Sequence, residues 1–269
     1  FGAGLFPDRP GPSDASTTLR GPFSLALRLQ RGTLLGWLAG FAILGGVLGG
    51  IAQDMSGLVN SSQQLREIVA KLGAGGDVVD SFLSAMMGIL GLLSAVFTVQ
   101  AVLRLRAEET RLRAEPVLAT RVGRVSFAAG HLTVAAAGGA ALLAIGGVLA
   151  GFADGLRTGD VGGQVPRVLV AALVQVPAAW VLAGVSVALF GLLPRFAVAG
   201  WAALVACLLL GQLGPALRLP QWALDFSPFT HVPKLPGGQL AVTSIGWLVL
   251  VSALLATAGL VGFQRRDIG

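Results

Sequence analysis

The 269 residues are 54% hydrophobic and only 12% charged, with a mean hydropathy of +0.79 and a formal net charge of +6. That composition excludes a soluble globular domain and points to a chain that crosses a membrane several times. One cysteine, Cys207, and two histidines exclude a disulfide framework and a metal site of ordinary ligand spacing.

Residues 1–21, with Phe6-Pro7-Asp8-Arg9-Pro10-Gly11-Pro12-Ser13, read as a turn-rich linker, as expected for one half of a longer polypeptide. Over 22–32, Pro22 suits a helix start. Ser24, Arg28 and Arg31 then share one face, while Phe23, Ala26 and Leu29 take another. This spacing predicts an interfacial amphipathic helix leading into the membrane. Six apolar runs follow, at about 33–52, 82–103, 127–151, 168–190, 197–214 and 244–263. Each is long enough for a ~30 Å hydrocarbon core at ~1.5 Å per residue, and with no water to satisfy backbone groups each must be a helix. Glycine and alanine punctuate the runs, as in Gly40 to Gly46 and Gly138-Gly139-Ala140, which predicts close packing as a bundle. The expected fold is therefore an all-α membrane domain over 33–269.

Between the first two runs, Leu65, Ile68, Val69 and Leu72 recur at helical spacing, and Asp77 or Asp80 can cap the next helix. The charged segment 104–126 separates the second and third runs. Deeper polar residues are few. His131 lies about a turn into the third run; Gln175 and Gln212 can bond between helices or line a pathway; Pro177 predicts a kink in the fourth run. Pro194 and Arg195 mark a tight turn. The stretch from Leu219 to Pro233, with Trp222, Phe226 and Phe229 among prolines, predicts short interfacial or re-entrant pieces.

Orientation follows from the basic residues. With both termini on one side, that side receives Arg9, Arg20, Arg28, Arg31, Arg104, Arg106, Arg111, Arg113, Arg121, Arg124, Arg195, Arg265 and Arg266. The other receives Arg66, Lys71, Arg157, Arg167, Arg218 and Lys234. The excess places both termini in the cytoplasm. The basic balance thus reflects topology and not nucleic-acid binding, since no basic run is interleaved with aromatics.

Two motifs carry a family resemblance. The loop Glu108-Glu109-Thr110-Arg111-Leu112-Arg113-Ala114-Glu115-Pro116-Val117-Leu118-Ala119-Thr120-Arg121-Val122-Gly123-Arg124 resembles the first cytoplasmic loop of type-2 ABC exporter permeases, with Arg121 where many relatives carry proline. The tail Gly262-Phe263-Gln264-Arg265-Arg266-Asp267-Ile268 is similar to the end of the same family. From about Pro22 onward the chain looks like the second half of duplicated actinobacterial permeases that resemble polyketide-antibiotic exporters.

The resemblance implies a half-permease in the plasma membrane of a high-GC bacterium, pairing with a second permease half and with ATPase subunits to export a hydrophobic or amphipathic compound. Its first, second and fifth spans would line the path. Glu108, Glu109, Arg111, Arg113, Glu115, Val117, Leu118, Arg121 and Arg124 would form the coupling loop, offering both signs of charge and an apolar anchor. The chain has no G-x-x-x-x-G-K-[ST], so ATP and Mg would be held by the partner and no cofactor by this chain. Two other classes stand beside this one. An ion-coupled secondary transporter would need buried carboxylates or broken helices, and the six runs hold no Asp or Glu well inside. An intramembrane glutamic protease of the CAAX-processing type shares the patterns Glu108-Glu109-x-x-x-Arg113 and Phe127-x-x-x-His131, but here they fall too close together and in a charged loop.

Overall fold

A computed structural model describes residues 22–61, 77–110, 124–196, 198–213 and 219–265. Every regular element in these residues is helical: α1 Pro22–Ser61, α2 Val78–Thr110, α3 Arg124–Thr158, α4 Val161–Leu173, α5 Val176–Leu192, α6 Ala199–Leu213, α7 Gln221–Leu224 and α8 Val242–Arg265. Among them, five stretches are long and apolar enough to cross a membrane: Ala26–Met55, Val78–Arg104, Ala128–Thr158, Val161–Leu192 and Val242–Arg265. The fifth predicted run is occupied by α6, a helix of 15 residues. At ~22 Å it is shorter than the ~30 Å core; residues 214–218 lie outside the described ones.

α2 is the central helix. Leu83, Met87, Leu90, Ser94, Phe97 and Ala101 recur at three- and four-residue spacing and are all buried, the stripe of a helix surrounded by others. It packs on α1, α3, α4, α5 and α6. α5 is buried on nearly every side, so its uniformly apolar sequence marks an interior helix.

The closest packing joins α1 to α3, which run parallel at an almost constant offset. Gln30 meets His131, Gly45 meets Gly146, Gly49 meets Ala150 and Gln53 meets Asp154. A Cβ added at Gly45 would lie 2.3 Å from the Gly146 carbonyl oxygen, and one at Gly49 would lie 2.0 Å from that of Ala150. Only glycine lets these backbones touch. The register repeats a sequence: Gly45-Gly46-Val47-Leu48-Gly49-Gly50 aligns with Gly146-Gly147-Val148-Leu149-Ala150-Gly151. Polar bonds between membrane helices average only ~0.6 kcal/mol, so packing along this seam outweighs the Gln30–His131 and Gln53–Asp154 contacts at its ends.

A second glycine row on α3 serves α4. Gly147, Gly151 and Gly155 face Leu169, Val165 and Val161, where an added Cβ would come within 3.1, 2.7 and 2.6 Å of their Cα atoms. The hairpin closes through Gly159, at φ +78°, and Asp160, whose carboxylate accepts from the Gly163 amide at 2.9 Å. Gly191 and Gly259 make a third crossing, between α5 and α8, where a Cβ on Gly191 would lie 1.9 Å from the Gly259 oxygen.

Several boundaries differ from the sequence reading. The segment 22–32 forms the first turns of the 40-residue α1 and not a helix of its own. Its buried face carries Ala26 and Gln30, whereas Phe23 and Leu29 are exposed. The third and fourth runs extend to Thr158 and back to Val161, because the glycine rows allow a tight hairpin where a loop was expected. Asp77, through Val79 N at 3.2 Å, caps α2; Asp80 has another role, given below. The helix expected over 65–72 lies outside the described residues.

Candidate functional site

The segment 104–126, expected from the resemblance to be the coupling loop, begins on α2, which continues past the span end at Arg104 to Thr110 and carries Glu108 and Glu109 in its last turn. Arg124 opens α3. The side chains of these three residues, and all of Arg111, Arg113, Glu115, Val117, Leu118 and Arg121, lie outside the described residues. Arg195, in the 3-10 turn Pro194–Phe196, is exposed.

Gln175 lies where the fourth run breaks. α4 ends at Leu173 and α5 starts at Val176, with Pro177 in its first turn. Proline has no amide to give the Leu173 carbonyl, so the ladder is interrupted. The Gln175 side chain is 6% exposed and rests on α2 at Gly91, where an added Cβ would lie 2.9 Å from its Oε1. It is thus a buried wedge between helices. Gln212 lies in α6, and its side chain is outside the described residues.

The bundle also brings together carboxylates that the expected span boundaries had left outside. Asp80 is buried and pairs with Arg167 of α4. Asp154 is fully buried, and its Oδ1 accepts from Gln53 Nε2 at 2.7 Å. Asp54 pairs with Arg157, which also donates to the Gly50 carbonyl at 3.0 Å. These contacts cluster at the end of the bundle where α1 and α3 finish. They link α1 to α3 and α2 to α4, and at the buried Asp80 and Asp154 the partner offsets the cost of burying a carboxylate, whereas the Asp54–Arg157 pair is half exposed. At the opposite end, His131 is 1% exposed and its Nδ1 lies 3.2 Å from Gln30 Nε2. That burial places the imidazole inside the packing of α1 and α3. Among the described residues, no group of three or more His, Cys, Asp or Glu could hold a metal ion. Cys207 packs beside Leu182 and Leu204.

The segment 219–241 forms two short pieces, α7 and the 3-10 turn Pro228–His231. Trp222 and Phe226 are exposed, while Val232 is buried against α5 and α8. Gly237, at φ +97°, brings its backbone against Asp80, where an added Cβ would lie 3.0 Å from the Asp80 Cβ. The segment thereby covers Asp80, while its partner Arg167 stays partly exposed.

A family model described as "Multidrug efflux system permease Rv1217c, C-terminal domain" matches residues 19–264. A curated relative, the multidrug efflux system permease protein Rv1217c of Mycobacterium tuberculosis (strain ATCC 25618 / H37Rv), is 42% identical over 267 residues, covering 99% of this chain and 49% of its own length. The chain spans about half the length of that relative. These matches bear out the resemblance to an exporter permease, and specifically to the C-terminal half of a longer one. With its apolar spanning helices, the chain is a multi-pass membrane protein that belongs to the family of the C-terminal domain of the multidrug efflux permease Rv1217c.

Proposed function

We propose that this chain is the membrane half of an ATP-driven exporter, moving hydrophobic or amphipathic drug-like compounds out of the cytoplasm together with a second permease half and separate ATPase subunits. The observation that carries the reading is the 42% identity along the whole chain to half of a permease named for multidrug efflux. ATP and Mg belong to the partner, because this chain offers no phosphate-binding loop. The segment 104–126 is the docking element. Its continuation from α2 suits it to pass motion of a bound ATPase directly into the central helix, and its mixed charges suit a polar groove.

The test is co-purification from membranes followed by an ATPase assay, with the wild type and a Glu108/Arg111/Arg113 triple alanine variant. A hydrolysing partner retained by the wild type and lost by the variant is the expected result; wild-type protein that transports in ion-loaded vesicles with no ATPase present would replace the reading by ion coupling. Gln175→Leu is expected to leave the range of exported compounds unchanged, because the side chain is wedged against Gly91. Gly91→Ala is expected to lower thermal stability, by roughly 1–3 kcal/mol for an overpacked contact. A shifted compound range in Gln175→Leu, measured by efflux of a dye panel, would place that residue on the pathway instead.

A further inference from the structure

Contacts between main chains divide the bundle into two groups of helices. Among the described residues, every glycine whose added Cβ would come within 3.1 Å of another helix's main chain joins α1 to α3, α3 to α4, or α5 to α8. In the last of these seams Gly184 meets the Ser252 carbonyl at 3.1 Å and Gly262 meets the Gly191 carbonyl at 3.0 Å, beside the Gly191–Gly259 crossing. Such seams resist sliding, because interlocked backbones have no side chain between them to change rotamer. The contacts between α1, α3 and α4 on one hand and α5 and α8 on the other are of a different kind. Trp180 of α5 donates through Nε1 to the Ala136 carbonyl of α3 at 3.2 Å. α2 stands between the groups and reaches each through a hydroxyl: Ser94 donates to the Gly139 carbonyl of α3 at 3.0 Å, and Thr98 to the Ala179 carbonyl of α5 at 3.4 Å. The packing between the groups also leaves a cavity of about 10 Å³, with His131 and Leu132 on one side and Phe190, Leu260 and Phe263 on the other. That is about the room one water molecule needs, and it gives these side chains space to shift.

The one chain link that joins the two groups directly is the α4–α5 junction, and there the helix is broken. Val174 and Gln175 form a turn, the Gln175 amide bonds the Ala172 carbonyl at 3.1 Å in a three-residue step, and Pro177 has no amide for the Leu173 carbonyl. Hinges are built from a few element-terminal residues of this kind, and shear from the sliding of helices packed through side chains. We propose that α1, α3 and α4 turn as one rigid body against α5 and α8 about Val174–Gln175, with α2 as the fulcrum between them. The Asp80–Arg167 pair ties one end of α2 to the first body, and the other end continues into the segment 104–126. The hinge does not depend on the export reading; its use in export rests on that reading.

The test uses the full-length protein in nanodiscs, in a Cys207→Ala background, with pairs of nitroxide labels at exposed positions and distances read by pulsed electron paramagnetic resonance. Leu35 with Leu156, and Leu192 with Leu254, lie within one body; Leu35 with Leu192, and Leu156 with Leu254, lie across the hinge. Without nucleotide, the pairs across the hinge are expected to give distributions at least about twofold broader than the pairs within a body, since freezing traps slow collective motions as separate conformers. Pro177→Ala supplies the amide that the Leu173 carbonyl lacks and should narrow the distributions across the hinge toward the width found within a body. Equal widths in the protein with Pro177 intact would overturn the division into two bodies, whether or not the alanine variant folds. A monodisperse Pro177→Ala protein with undiminished width across the hinge would overturn the hinge at 174–175. With an ATPase co-purified, trapping nucleotide should shift the pairs across the hinge and leave the pairs within a body in place, and equal shifts in all pairs would also overturn the division. If no ATPase co-purifies, the export reading fails while the widths without nucleotide still decide the hinge.

Discussion

Gly45→Leu is expected to destabilise the folded bundle strongly, while Gly46→Leu, one residue along, is tolerated. The two glycines are neighbours in a run that composition alone cannot divide. At Gly45 a Cβ would lie 2.3 Å from a backbone oxygen of Gly146; at Gly46 nothing stands within 4 Å. Overpacking of flexible side chains costs ~1–3 kcal/mol. Here the obstructing atom is main chain, so the whole of α3 must move, and the cost should reach or exceed about 3 kcal/mol, a large part of an ordinary 5–15 kcal/mol stability. Separating α1 from α3 also pulls Gln53 from the buried Asp154 and Asp54 from Arg157. Fluorescence-detected size exclusion and thermal unfolding in detergent would read the difference. Equal melting temperatures for the two variants would refute the parallel glycine seam.

Reversing Arg111 and Arg113 to glutamate is expected to lower coupled efflux at least about tenfold, equivalent to ~1.4 kcal/mol, with the bundle intact and the partner's basal hydrolysis retained. Like charges set opposite one another at an interface cost several kcal/mol, which exceeds that threshold. Neither residue belongs to the glycine seams that hold the helices, so thermal stability should move little. Transport assayed in vesicles alongside ATP hydrolysis separates the two effects. Unchanged coupled transport would remove this loop from the docking surface and turn attention to Arg195, exposed in the turn Pro194–Phe196.

What could be found from residues alone, and what could not, divides along a physical line. Pro177 marked the break at 174–175 because a missing amide acts locally, and Gln175 stood out as a polar residue deep in an apolar run. The Pro/aromatic segment after α6 was legible for the same reason. The carboxylates were not. Asp154 seemed to fall past the third span, since hydropathy falls there, yet the α3–α4 hairpin closes around Gly159 and keeps it inside. The partner of Asp80 lies 87 residues away and that of Asp54 lies 103 away. Neither pairing has a local signature. The shared Gly-Gly-Val-Leu segments of α1 and α3 were a usable signal for the register, because identical small-residue patterns can pack side by side.

The sequence by itself determined that the chain lives in a membrane, that its spans are helices, and which family it resembles. These follow from hydropathy, from the need to satisfy backbone groups in lipid, and from motifs carried by contiguous residues. Only the tertiary structure decided which glycines are contacts and which face open space. All helical glycines look alike in one dimension, and what distinguishes Gly45 from Gly36 is whether another backbone occupies the space beside it.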